Sequence, residues 1–180
     1  MFLFHILNMV GKAPQTVGET FAELYKEFMP KIYRYVNYRV SDTHLAEDIT
    51  SAVFEKALVK FTSYSDEKGA FSTWIFSIAR NTIIDHFRTN KQARTVALDN
   101  ADSIADGDDS PEENAARTEE IHQLQASVAR LPRPQQEIIS LKFGAEMTNR
   151  QIAKMLGISE SNVGTILYRA VKKLREDFQG

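Results

Sequence analysis

Cysteine is absent from the 180 residues, which excludes disulfides, thiolate metal sites and a thiol nucleophile. The chain therefore suits a reducing compartment, and any redox sensing has to sit in a partner. No apolar run approaches the roughly 20 residues that a membrane-spanning helix needs. The opening MFLFHILNMV is apolar, but it lacks the basic start, the longer apolar core and the small-residue cleavage site of a secretory signal. It is expected to be a tail, with Met9 as an alternative start to Met1. Period-two alternation of useful length is missing too, so the expected class is all-α. A strong charge of either sign is also lacking. The net value is −2, and on its own it gives no reason to expect nucleic acid.

The charge is distributed unevenly, however. Residues 1–94 carry 12 Lys and Arg against 10 Asp and Glu, residues 95–120 carry one Arg against nine acids, and residues 121–180 carry nine bases against five acids. Two mildly basic blocks thus flank an acidic stretch, the pattern to test for nucleic-acid binding. The stretch includes DNADSIADGDDSPEE and has too few large apolar residues to offset its ordering entropy. It reads as a flexible linker under like-charge repulsion. The expected divisions are a tail over 1–19, a helical module over 20–90, the linker over 91–114 and a second helical module over 115–178.

In the first module Phe21, Leu24, Tyr25, Phe28, Ile32, Tyr35 and Val36 follow one face of a 3.6-residue repeat. Pro30 predicts a kink or break in that helix. Ser41 and Asp42 are candidate caps for the next helix, which turns Leu45, Ile49, Ala52, Val53 and Ala57 inward. Ser63–Ala70 reads as a loop. A third helix, from about Phe71 to Arg88, packs Trp74, Ile75, Ile78 and Thr82. It also interleaves aromatics with Arg80, Asn81, His86 and Arg88. Aromatic platforms plus a basic track are what single-stranded nucleic acid requires, and Asn suits a base edge. An aromatic stripe is more often core, and Trp74 is expected there.

The second module carries a sharper signal. Ile121, Leu124, Val128 and Leu131 form one stripe, ended by Pro132-Arg133-Pro134. A short apolar helix over Gln135–Phe143 is expected to stop at Gly144. Thr148 or Asn149 can cap a helix through Leu156, with Ile152 and Ala153 buried. Gly157 sits where the chain must reverse with positive φ. Ser159 caps a longer helix with Val163, Ile166, Leu167, Ala170 and Leu174 inside. This is a helix-turn-helix. The outer face of its second helix offers Ser161, Asn162, Thr165, Tyr168, Arg169 and Lys172 to base edges and phosphates.

Three segments in order, AEDITSAVFEKAL (46–58), AFSTWIFSIARNTIIDHFR (70–88) and LPRPQQEIISLKFGAEMTNRQIAKMLGISESNVGTILYRAVKKLR (131–175), resemble the extracytoplasmic-function (ECF) sigma factors. The resemblance implies that the first module is region 2 and the second is region 4. Region 2 of the family docks on the β′ clamp helices of core RNA polymerase, here through the helix bearing Glu47, Asp48, Thr50, Ser51 and Phe54. It also captures a flipped base of the melted −10 element. That role falls on the loop with Lys68 and Phe71 and on Asn81, with Arg80, Asp85 and Arg88 nearby. Region 4 reads the −35 duplex through Thr165, Tyr168 and Arg169, and its partners include the β flap. The resemblance further implies an anti-sigma factor as partner, a linker in the RNA-exit path, a cytoplasmic setting, and no catalytic residue, cofactor or metal. Gly164 and Ile166 stand where the family often has Lys or Arg, and Ser51 and Ala52 where it usually has Gln and Glu. Three other readings fit less of the chain. They are a stand-alone helix-turn-helix regulator, which leaves the first module unexplained; a metalloenzyme built on His44, Glu47, Asp48 and His86; and a pure scaffold.

Overall fold

The computed structural model describes residues 15–40, 42–65, 67, 69–96 and 123–179. Residues 1–14, Ser41, Lys68 and 97–122 lie outside them, so the expectations placed there are not addressed; residues 15–19 of the expected tail and 91–96 of the expected linker are instead helical, extending the first and third helices of the first module. Helices α1 (Gln15–Val40), α2 (Thr43–Lys60) and α3 (Phe71–Val96) form the first module, with a 3-10 turn at Phe61–Ser63. In the second, α4 (123–129) precedes α5 (Arg133–Ile139), whose end widens into a π turn over Ser140–Gly144. Helices α6 (Asn149–Leu156) and α7 (Glu160–Gln179) follow. Among the described residues there is no strand.

Local chemistry accounts for most of these boundaries. The Asp42 carboxylate accepts from the Leu45 backbone N–H at 2.8 Å and caps α2. The Thr148 hydroxyl and the Gln151 side chain form a capping box at the start of α6. Gly157 ends α6 at φ +68, a left-handed conformation that strains any residue with a Cβ. The Ser159 hydroxyl accepts from the Asn162 N–H at 3.2 Å to open α7. Pro30 does not break α1, which runs through it. The ring costs the helix one hydrogen bond at the Lys26 carbonyl. Both Pro30 and Lys26 are exposed, so water can take up that carbonyl.

The α1 stripe is inside as expected: Phe21, Phe28, Ile32, Tyr35 and Val36 are buried, and Leu24 and Tyr25 half-buried. Against it pack Ile49, Val53, Phe54 and Ala57 from α2 and Ile75, Phe76, Ala79 and Ile83 from α3. The Lys56 ammonium donates to Thr82 Oγ1 at 3.1 Å and ties α2 to α3. A fully buried aliphatic or aromatic side chain contributes about 1.5–3 kcal/mol. An exposed pair such as Lys31–Glu27 contributes about 0–1 kcal/mol, so apolar burial decides the fold.

The two modules share one core. Ile138, Leu141, Ala145, Met147, Ile152, Ala153 and Val163 belong to the same buried cluster as the α1–α3 residues. A smaller cluster of Val128, Leu131, Ile139 and Ala170 knits α4, α5 and α7 together and reaches Tyr38 of α1. Gly144 explains how closely the modules approach. A Cβ there would lie 2.8 Å from the Tyr35 Cα and 2.9 Å from its nitrogen, so backbone packs on backbone. The expectation that Gly144 stops a helix is thus refined: the π turn closes there, and the missing side chain serves the contact between modules.

Candidate nucleic-acid interface

Helix α7 presents Ser161, Asn162, Thr165, Tyr168, Arg169 and Lys172, all exposed. Residues 161, 165, 168 and 172 are three or four positions apart and share one face. Its opposite face is fixed by Val163 and Ala170, both fully buried. Tyr168 is 70% exposed, which leaves its ring open to a partner. Arg150 and Lys154 on α6 are exposed as well. The row is thus held rigidly by a packed helix whose N-terminal end is small and polar, the shape a major groove admits. Gly164 meets nothing within 4 Å of where a Cβ would stand, which leaves the helix surface open there.

A second feature lies at the α2–α3 junction. Ser63, Tyr64, Ser65, Gly69, Ala70, Thr73, Trp74 and Ser77 line an open hollow of about 260 Å³. The Tyr64 and Trp74 rings stand 5.0 Å apart, and Phe61 and Phe71 back them. The Tyr64 hydroxyl donates to the Gly69 carbonyl at 3.2 Å and holds the loop shut. An aromatic wall beneath a rim of hydroxyls is suited to a planar, hydrogen-bonding ring. Trp74 is half-buried, so it serves the core and the hollow together. The hollow's lining, Tyr64 and Thr73 above all, was not singled out from sequence. An aromatic loop residue beside Gly69 was the available signal.

Thr73, Ser77, Asn81 and Asp85 follow at four-residue spacing and share the α3 face that leads away from the hollow. Asn81, Asp85 and Arg88 are exposed, and Arg88 pairs with Asp85 at 3.3 Å. Phe71 is only 7% exposed. Its ring sits edge-on to Phe28 at 5.1 Å, so it supports the hollow from behind and does not face a strand. Arg80 turns away from the row: its Nε lies 3.5 Å from Glu137 in the second module.

On α2, Glu47 and Asp48 are exposed and Ser51 half-exposed. Thr50 and Phe54 are buried. The Phe54 ring packs edge-on against Tyr25 at 4.7 Å. These two residues are core, and the outward face of α2 belongs to Glu47, Asp48 and Ser51. Burial first, and the Glu47 carboxylate second, raise the Tyr33 phenol above its ordinary pKa. Among the described residues no three His, Asp or Glu side chains gather to hold a metal ion. No described helix is long and apolar enough to cross a membrane.

Residues 24–93 match the family model for Sigma-70 region 2, and residues 121–174 match that for Sigma-70, region 4. The chain belongs to the sigma-70 family. Its relatives place this sigma factor in the ECF group. It is 30% identical over 169 residues to the ECF RNA polymerase sigma factor BldN of Streptomyces coelicolor, matching 94% of this chain and 64% of BldN. It is 28% identical over 156 residues to the ECF RNA polymerase sigma factor SigM of Bacillus subtilis, matching 87% of this chain and 93% of SigM. The chain therefore spans just under two thirds of BldN and nearly all of SigM. Among solved structures, the sigma factor RpoE of Bartonella quintana, in complex with the anti-sigma factor NepR, superposes with a TM-score of 0.69 at 18% identity. The match covers 89% of this chain and 98% of RpoE, and at that identity it speaks to the fold. Region 2 of the sigma factor is thus α1–α3, and region 4 is α4–α7.

Proposed function

We propose that this sigma factor directs core RNA polymerase to its promoters and nucleates their melting, and that it catalyses no reaction itself. Locating a duplex site and trapping separated strands are different physical tasks, and the chain has a separate surface for each. Region 4 reads the −35 duplex through Ser161, Asn162, Thr165, Tyr168, Arg169 and Lys172. Region 2 holds a base of the melted −10 element in the Tyr64–Trp74 hollow, and Asn81, Asp85 and Arg88 follow the strand. Lys68 is assigned to the same strand from its place in the loop. The outward face of α2, with Glu47, Asp48 and Ser51, docks on the β′ clamp helices, and region 4 engages the β flap. An anti-sigma factor is the expected regulator, and the cytoplasm, where polymerase works, is the expected setting.

The observation that carries this reading is the pairing of a solvent-facing polar row on a helix-turn-helix with an aromatic hollow on a different module. A stand-alone duplex regulator needs the first and has no use for the second. The experiment is run-off transcription with core polymerase over a promoter library. Promoter-dependent transcripts that require the chain support the proposal. Tight sequence-specific duplex binding by the free protein, without any effect on polymerase, supports the regulator.

The −35 assignment makes its own prediction. Arg169→Ala weakens binding to −35 duplex and flattens the slope of log affinity against log salt by about one unit, the signature of one lost phosphate contact. Filter binding of the holoenzyme between low and moderate salt reads it. An unchanged slope assigns Arg169 to something other than the backbone.

A further inference from the structure

The hollow at the α2–α3 junction is lined by hydroxyls and aromatic rings, and no charged side chain is among its described lining. A base held there is told apart from others by hydrogen bonds, so the direction of each bond matters. A hydroxyl has one proton to donate and two lone pairs to accept with. Three of the lining hydroxyls have already committed that proton to a backbone carbonyl. Ser63 donates to Lys60 at 2.7 Å, Tyr64 to Gly69 at 3.2 Å and Ser77 to Thr73 at 2.7 Å. What these three oxygens still offer is lone pairs. The hydroxyls of Ser65 and Thr73, also in the lining, can turn either way.

We propose that the hollow selects a base bearing an exocyclic amino group and rejects thymine, with Ser63, Tyr64 and Ser77 as the residues that set the preference. The proposal rests on the sigma-factor reading above and deepens it from capture of a base to the chemistry of the base captured. An amino group brings two protons to a rim dominated by acceptors. Thymine brings a single N–H between two carbonyls, whose lone pairs would meet the lone pairs of the rim. The Tyr64–Trp74 wall supplies stacking to any base, so it adds affinity without discriminating. The choice between bases therefore falls to the hydroxyls.

The test uses holoenzyme reconstituted from core polymerase and the full chain. The probe is the library promoter with the strongest chain-dependent run-off transcript, built with a non-complementary −10 segment so that pairing energy does not enter. Each non-template position of that segment is varied through the four bases and through purine and 2-pyrimidinone, which lack only the amino group of adenine and cytosine. Affinity is read by filter binding. At one position an amino-bearing base is expected to bind about tenfold more tightly than thymine, and its amino-free analogue is expected to lose that advantage. Tyr64→Phe keeps the ring and Ser77→Ala keeps the helix, and circular dichroism confirms that each is folded. Each is expected to cut the preference to about threefold or less at that position and to leave preferences at the others unchanged. General damage to region 2 would lower affinity for every probe alike. The proposal is overturned if thymine binds as well as the other bases at every position. It is equally overturned if the amino preference survives both variants, or if they weaken all probes equally. Chain-dependent transcription without an amino preference refutes the selective hollow alone. If no promoter in the library requires the chain, the sigma-factor reading fails and the selective hollow fails with it.

Discussion

Asn81→Ala is expected to reduce promoter opening about tenfold while leaving closed-complex binding nearly unchanged. Asn81 is exposed and lies one helical turn beyond Ser77, which lines the hollow. A carboxamide can pair with both a donor and an acceptor on one base edge, and such a pair is worth about 1–3 kcal/mol of discrimination. That energy is available only once the base has left the stack, so it appears in the opening step. On the proposed reading, duplex affinity is set by α7, in the other region. Permanganate reactivity of −10 thymines reads opening, and filter binding at a temperature that blocks melting reads the closed complex. Equal loss in both would mean that Asn81 contacts duplex or supports folding.

The second large effect concerns folding. Ile152→Ala is expected to cost about 2–5 kcal/mol, the range for truncating a fully buried aliphatic side chain. Ile152 is 0% exposed in region 4, and it belongs to the cluster that includes Phe21 and Ile75 of region 2. The chain has one tryptophan, Trp74 in region 2, so its fluorescence reports unfolding of that region. If the regions unfold together, the Trp74 transition falls with the helical signal by on the order of 5–15 °C. A Trp74 transition that stays in place while part of the helical signal melts early would mean that the shared core is too weak to couple the regions. The same coupling bears on Glu137, which pairs with Arg39 and Arg80 of region 2. Removing one partner of a buried ion group strands the others at a cost of about 3–5 kcal/mol, and Glu137→Gln does so in part, because the amide keeps one acceptor oxygen and turns an N–H2 group toward donors that the second oxygen had accepted from.

How much of this could be read from the chain depended on the range of the interaction. Asp42, Thr148, Gly157 and Ser159 act on backbone groups within a few residues, and their roles were legible without coordinates. So were the α1 stripe and the outward row on α7, because both follow helical periodicity. Pro30 left a kink or a break open, and the helix is not broken; whether a proline ends a helix depends on whether water can reach the freed carbonyl, which is a tertiary property. Thr50, Phe54 and Phe71 lie on helices whose function the resemblance points to. Which side of each helix faces inward is decided by Tyr25 and Phe28, from a different helix. Glu137, Arg39 and Gly144 were illegible for the same reason in stronger form. Their partners lie in the other region, across the acidic linker, and no local pattern marks a carboxylate that will meet two arginines.

The central claim is the division of labour between the regions, and permanganate footprinting of a promoter with core polymerase tests it most directly. With the chain present, thymines of the −10 element become reactive and the −35 duplex is protected in the same complex; with core enzyme alone neither occurs. Protection of the −35 duplex with no reactive thymine under any condition would contradict the account, leaving a protein that binds paired DNA and opens none.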